Sequence, residues 1–241
     1  MVWIKICGIT NNSDAEAAVR YGSDALGFVF STDSPRRISL KAASSIIDYL
    51  QDISEHSGNE NTEDKGSRIV AVEKVGVFVN EDIREVANFS RQLKLDYIQL
   101  SGDESIDYIK KLKEEIPDIK VIKAIRIGNE EKSRSENIKG TVKEFGAIAD
   151  HILMDSYHPS KYWGTGKTLD LETAKSIGSL PGFILSGGLD HLNIGEAIKN
   201  INPFGIDVSS KLEASPGKKD HRLVKSFIEA ARQAAEEETP G

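Results

Sequence analysis

Cys7 is the single thiol in 241 residues, and it ends the apolar run Trp3–Cys7 immediately before Gly8. A lone buried cysteine most often packs as a small hydrophobe, and the position of this one at a strand end next to Gly8 shifts the balance toward chemistry. With a reference pKa of ~8.5 the thiolate is a minor species at neutral pH, and cations nearby would enlarge that fraction. By strand alternation Lys5 points the same way as Cys7, as Asp207 does with Ser209 on a later run. Lys5 is therefore expected beneath Cys7, paired with Asp207. Asp155 closes the run "HILMD". A carboxylate there must be hydrogen-bonded or face a cleft, because an unpaired buried charge is costly. Partial burial would raise its pKa toward the range of a general acid; the alternative is a carboxylate bonded to neighbouring backbone.

A second group of residues has the chemistry of anion binding. In "DSPRRIS" one of Arg36 and Arg37 is expected to be a surface charge, with Arg36 placed to hold a carboxylate bidentately. Arg126, ending "KAIRI", is another candidate or the partner of a structural acid. "LSGGLD" and "DVSSKLEASPG" follow the last two apolar runs. Glycines let backbone N–H groups approach an anion and serines add hydroxyl donors, so Gly187, Gly188, Ser209 and Ser210 are expected to bind phosphate. Two tight turns without a ligand would have the same composition. "GTGKT" (164–168) lacks the first glycine of a nucleotide-binding loop, since position 161 is Lys161, and no buried strand leads into it. It reads instead as a glycine-hinged loop with Lys161 or Lys167 near a ligand. The five histidines show no ligand spacing, so no metal is expected, and the two methionines and modest aromatic content offer no cofactor box.

These residues need a scaffold that gathers strand ends. Eight short apolar runs alternate with amphipathic stretches: Trp3–Cys7, Ala25–Phe30, Val75–Val79, Tyr97–Leu100, Val121–Ile125, Ile152–Asp155, Phe183–Leu185 and Gly205–Val208. Consecutive apolar residues suit parallel strands covered on both faces. The stretches between them, such as Asp14–Tyr21, Leu40–Leu50, Glu81–Leu93 and Arg222–Glu236, have helical spacing, and Ser13, Ser39 and Asn193 are plausible caps. The pattern fits a single α/β (β/α)₈ TIM barrel over residues 1–241 better than a doubly wound open sheet with extra elements, and in such a barrel an active site lies at the C-terminal ends of the strands. Almost every run does end on a small, polar or ionisable residue. Gln51–Lys74 is expected to be a mobile excursion, Gly128–Asp150 a long connection with a helix near Ile138–Ile148, and 236–241 a frayed tail.

The net charge of −7 argues against a general nucleic-acid binder, and it requires that any anionic ligand be held by local donors. One cysteine makes no internal disulfide, no signal peptide opens the chain, and no apolar run is long enough to span a membrane. A cytoplasmic protein without membrane partners is expected.

The stretches "KICGIT", "DALGFVF", "SPRRIS", "VGVFVN", "KAIRI", "ILMDS", "GTGKTLDL", "LSGGL" and "GIDVSS…PGKKD" run from residue 4 to about 220 in an order that resembles the phosphoribosylanthranilate isomerases of tryptophan biosynthesis. The resemblance implies an Amadori rearrangement of N-(5-phosphoribosyl)anthranilate. Asp155 would be the general acid, Cys7 the general base, and Arg36 the holder of the anthranilate side. Gly187, Gly188, Ser209 and Ser210 would bind the phosphate. It implies no metal or cofactor, because the amine nitrogen is the electron sink, and a monomer or homodimer. The family commonly reads "QLHG" where this chain has "QLSG", so Ser101 stands in place of an imidazole. A related isomerase of histidine biosynthesis runs the same rearrangement with an aspartate as base, and a non-catalytic phosphate-binding barrel would lack the acid or the base.

Overall fold

A computed structural model describes residues 1–56, 72–127, 135–156 and 182–237. Its strands are β1 (Trp3–Cys7), β2 (Ala25–Val29), β3 (Glu73–Phe78), β4 (Tyr97–Leu100), β5 (Lys120–Ile127), β6 (His151–Ser156), β7 (Phe183–Ser186) and β8 (Gly205–Val208). They form a closed parallel barrel in sequence order, with β8 returning to β1. The described helices are α1 (Asn12–Arg20), α2 (Leu40–His56), α3 (Ile83–Leu93), α4 (Ile106–Glu115), α5 (Ser135–Gly146), α6 (Ile194–Ile201) and α7 (His221–Glu237). After β8 the chain makes a short 3₁₀ turn (Ser210–Leu212) and a hairpin of β9 (Glu213–Ser215) and β10 (Lys218–Lys219). None of the described helices is long and apolar enough to cross a membrane.

Alternation along each strand separates two environments. On β1, Ile4 and Ile6 are fully buried in the layer between barrel and helices, beside residues such as Val224, Phe227 and Ile228 of α7. Each such side chain removed from water contributes about 1.5–3 kcal/mol before chain entropy is counted. Lys5 and Cys7 face the other way, into the barrel. Lower in the interior lies an apolar plug of Ala25, Val75, Tyr97, Ile122, Ala124, Leu153 and Ile184, and Cys7 packs with Val29 and Val77.

Several element edges differ from the sequence expectation, each for a local reason. Helix α1 starts earlier because Asn11, not Ser13, caps it: the Asn11 side chain accepts from the Asp14 N–H at 2.9 Å. Strand β5 extends at both ends: Lys120 pairs with Tyr97 of β4, and pairing to β6 continues through Arg126 opposite Asp155 and Ile127 opposite Ser156. Lys120 and Arg126 are too polar to read as parts of a buried strand. Helix α2 continues past Leu50 to His56, and the helix expected near Ile138–Ile148 spans Ser135–Gly146. Most of the expected excursion (57–71), the "GTGKT" loop with Lys161 and Lys167, and the end of the tail lie outside the described residues.

Candidate active site

The floor of the site is the β1–β8 seam. Lys5 pairs with Asp207 in register, and its Nζ donates to Asp207 Oδ1 at 2.7 Å with the lysine side chain fully buried. Ser186 on β7 donates to the other oxygen, Oδ2, at 3.3 Å. The pairing expected from alternation is present. Burial alone would lower the Lys5 pKa, but the charge of Asp207 and that of Cys7 outweigh it and hold the ammonium above its ordinary value.

Cys7 stands above this pair, 7% exposed. Here the expectation needs correction. Burial pushes the thiol up, and although Lys5 and Lys219 pull it down, Asp207 adds to the rise, so the net direction is upward rather than toward thiolate. Room for the sulfur comes from Gly27, directly opposite on β2: a Cβ there would lie 2.7 Å from Cys7 Sγ and 3.1 Å from Lys5 Cε. Gly8 plays a similar part for the arginine, since a Cβ at that position would fall 2.6 Å from Arg36 Cδ and 3.0 Å from Ser209 Oγ.

Arg36 is buried and Arg37 exposed, which divides the pair as expected. Its guanidinium is already engaged, however. Nε and Nη2 each donate to Glu213 at 2.7 Å, a bidentate pair made with β9. The edge expected to pin a ligand carboxylate is therefore taken by the protein, and only the end formed by Nη1 and the outer N–H of Nη2 is left for a second anion. Burial would raise the Glu213 pKa, but the Arg36 hydrogen bonds and Lys219 bring it below the usual carboxylate range. Glu213 and the buried Lys219 behind it had no signal in the sequence beyond lying in "KLEASPGKKD".

Beyond β7 and β8 the chain presents Gly187 and Gly188, both with positive φ (96° and 67°), and then Ser209 and Ser210. Asn193 stands at the N-cap of α6 as expected, but its side chain makes no cap hydrogen bond. Its side-chain nitrogen donates to the Gly188 carbonyl at 3.0 Å and its oxygen accepts from the Asp190 N–H at 2.9 Å, so it shapes the glycine turn instead. Ser209 Oγ is buried and has no hydrogen-bond partner among the described residues. A buried hydroxyl without a partner costs free energy unless a ligand completes it.

The opposite wall comes from β4 to β6. Ser101 Oγ accepts from the Gln99 side-chain nitrogen at 3.0 Å, Arg126 Nη2 donates to the Ser101 carbonyl at 2.9 Å, and Asp155 is half-buried beside Arg126 in the register of β5 and β6. The turn after β4 is held by Glu104, which is buried, accepts from the Asn80 and Gly102 N–H groups, and pairs with buried Lys123 at 2.7 Å. No group of three or more His, Cys, Asp or Glu suited to a metal ion occurs among the described residues.

Cys7, Arg36, Asp155, Gly187, Gly188, Ser209 and Ser210 line one cavity at the C-terminal ends of the strands, with Arg126, Ser186, Asp207 and Lys211. The arrangement offers a thiol and a carboxyl on different walls, with hydroxyl and glycine-rich donors at one end. It suits proton transfers on a small phosphorylated molecule. Comparison with known proteins gives a consistent result. The sequence model of one family, N-(5'-phosphoribosyl)anthranilate (PRA) isomerase, matches residues 48–230. The chain is 37% identical over 235 residues to the N-(5'-phosphoribosyl)anthranilate isomerase of Trichlorobacter lovleyi, covering 97% of this chain and 100% of that one. It superposes on the crystal structure of phosphoribosyl anthranilate isomerase from Thermotoga maritima with a TM-score of 0.77 at 36% identity, covering 97% of this chain and 100% of that one. A phosphoribosyl anthranilate isomerase crystallised with reduced 1-(o-carboxyphenylamino)-1-deoxyribulose 5-phosphate gives a TM-score of 0.73 at 34% identity, with the same coverage.

Proposed function

The chain belongs to the N-(5'-phosphoribosyl)anthranilate isomerase family, and on that premise we propose that Asp155 is the general acid and Cys7 the general base of its reaction. The enzyme is an aldose–ketose isomerase of tryptophan biosynthesis. It converts N-(5'-phosphoribosyl)anthranilate to 1-(2-carboxyphenylamino)-1-deoxyribulose 5-phosphate by an Amadori rearrangement. The observation that carries the assignment is the common cavity, which Cys7 enters from β1 and Asp155 from β6.

In this reading Asp155 protonates the furanose ring oxygen, and the ring opens to an iminium ion. Cys7 Sγ then takes the C2′ proton, and the electrons of the C2′–H bond flow to the nitrogen, giving an enolamine that tautomerises to the ketone. The iminium cation is itself the missing charge at the thiol. The Cys7 thiol gives its proton to solvent as substrate binds; the cation then stabilises the thiolate while it acidifies C2′–H, and the proton taken from C2′ restores the thiol. Ser209, Ser210, Gly187 and Gly188 bind the phosphate, and the free end of Arg36 takes the anthranilate carboxylate. We read the whole chain as one barrel domain that acts in the cytoplasm, where a reducing environment keeps its one thiol free, as a monomer or homodimer.

The test couples anthranilate to phosphoribosyl pyrophosphate to make the labile substrate and follows anthranilate-type fluorescence. Cys7→Ser and Asp155→Asn, each folded, should lose about 10²–10⁴-fold in kcat. Full activity in either variant removes that residue from its role.

A further inference from the structure

Lys219 lies on β10, far along the chain from Cys7 and Arg36, and is 3% exposed. Its ammonium has three donors, and three acceptors stand around it: the Cys7 carbonyl at 2.6 Å, the Ser209 carbonyl at 3.2 Å and Glu213 Oε1 at 3.0 Å. A neutral amine, with two N–H bonds, would leave one of them without a donor. Glu213 in turn grips Arg36 through both carboxylate oxygens. The Lys219 backbone N–H donates to buried Asp14 at 2.8 Å, and Asp14 also accepts from His221 Nε2 at 2.8 Å. The hairpin is thus tied to the first helix as well as to the cavity.

The three parts of the site joined here come from separate elements. Cys7 ends β1, Ser209 follows β8, and Arg36 lies in the connection after β2. No direct hydrogen bond among these three is present in the described residues. One buried cation with all its donors engaged connects them.

We propose that Lys219 is a positioning residue for the isomerisation, holding the strand end of Cys7 against the phosphate turn of Ser209 and, through Glu213, setting the placement of Arg36. The proposal rests on the roles given above to Cys7, Ser209 and Arg36. Lys219 lines no part of the cavity and touches no reacting atom; it acts through its neighbours. Its charge also bears on the thiol, together with Lys5 and Asp207 on the same seam.

Lys219→Met and Lys219→Arg test this beside the unaltered chain. Because Cys7 is the only thiol, the pH dependence of its alkylation by iodoacetamide reports the thiol without substrate. Inorganic phosphate as a competitive inhibitor reports the phosphate turn, and kcat with KM reports the assembled site. In folded Lys219→Met the alkylation curve should move to higher pH and phosphate should inhibit more weakly. The same variant should lose about 10–100-fold in kcat, the scale of a small misplacement of reacting groups. Lys219→Arg keeps the charge but cannot direct three diverging donors, so all three readouts should fall between.

A folded Lys219→Met with unaltered alkylation, phosphate inhibition and kcat overturns the proposal. So does a loss of activity that only follows the loss of folded protein while the other two readouts stay fixed. Should Lys219→Met fail to fold, Lys219→Arg decides: displaced readouts support positioning, and values equal to the unaltered chain overturn it. Failure of Cys7→Ser to lose activity would remove the base assignment, yet alkylation and phosphate inhibition would still judge Lys219.

Discussion

Cys7 sits among Lys5, Asp207 and Lys219, and burial together with the aspartate outweighs the two cations. The thiol therefore keeps its proton above its ordinary range. A base must be deprotonated to act, and kcat/KM reports the groups of the free enzyme, so kcat/KM should climb with pH through neutrality and keep climbing past the reference thiol value of ~8.5. A kcat/KM profile that is flat from acid to alkaline pH would contradict Cys7 as the base. Gly27 offers a second check at this scale. An alanine Cβ would meet Cys7 Sγ at 2.7 Å and the Cys7 backbone at 3.0 Å, contacts that the strand cannot relieve without moving. Gly27→Ala should destabilise by about 1–3 kcal/mol, as overpacked cores do, and should lose activity beyond what its unfolded fraction explains; urea unfolding with kinetics at the same temperature reads both. Cys7 and Asp155 were legible because their side chains are chemically unusual at the ends of apolar runs. Glu213 was not, since a glutamate in a polar loop looks like any surface charge until Arg36 is found against it.

At the scale of elements, the β1–β8 seam carries a buried ion pair on its interior face, while Ile4 and Ile6 pair with Ile206 and Val208 on the face toward the helices. Removing one partner of such a pair leaves the other charge buried alone, at about 3–5 kcal/mol. Lys5→Met should cost that much in thermal or urea unfolding and should also raise the Cys7 titration further, because Lys5 pulls the thiol down. Unchanged stability together with an unchanged alkylation curve would show that the pair supports neither strand nor thiol. The strands themselves were readable from consecutive apolar residues, and their centres agree with the structure. Their ends were less so, as in β5, where Lys120 and Arg126 pair within the sheet despite their polarity. Asn193 shows the same limit in another form: its type and place suit a cap, but the Gly188 carbonyl claims its amide.

For the whole molecule, closing the barrel brings residues from both ends of the chain into one charged interior, and stability should register this on the acid side. The Glu213 carboxyl is held below its ordinary value, so the unfolded chain takes up its proton first as pH falls. Its contribution is then full above about pH 4.3, glutamate's reference value, and is lost as pH drops through the lower folded value. Melting temperature followed across this range should fall more shallowly in Glu213→Gln than in the unaltered chain. Equal acid slopes would mean that the Arg36–Glu213–Lys219 group adds nothing to folding.

The sequence by itself determined the eightfold alternation, the faces of β1, the acid and base candidates and the glycine–serine turns, because these depend on local periodicity and on chemistry carried by single residues. The Lys5–Asp207 pair was also within reach, since closure makes β8 the neighbour of β1 and strand alternation does the rest. Only the tertiary structure decided that the Arg36 fork belongs to Glu213, that Lys219 links three separate elements, and that the thiol is pushed up rather than down. Those outcomes depend on which groups share a desolvated volume after closure. In that volume distance and burial set the energies, and neither is written in the spacing of residues along the chain.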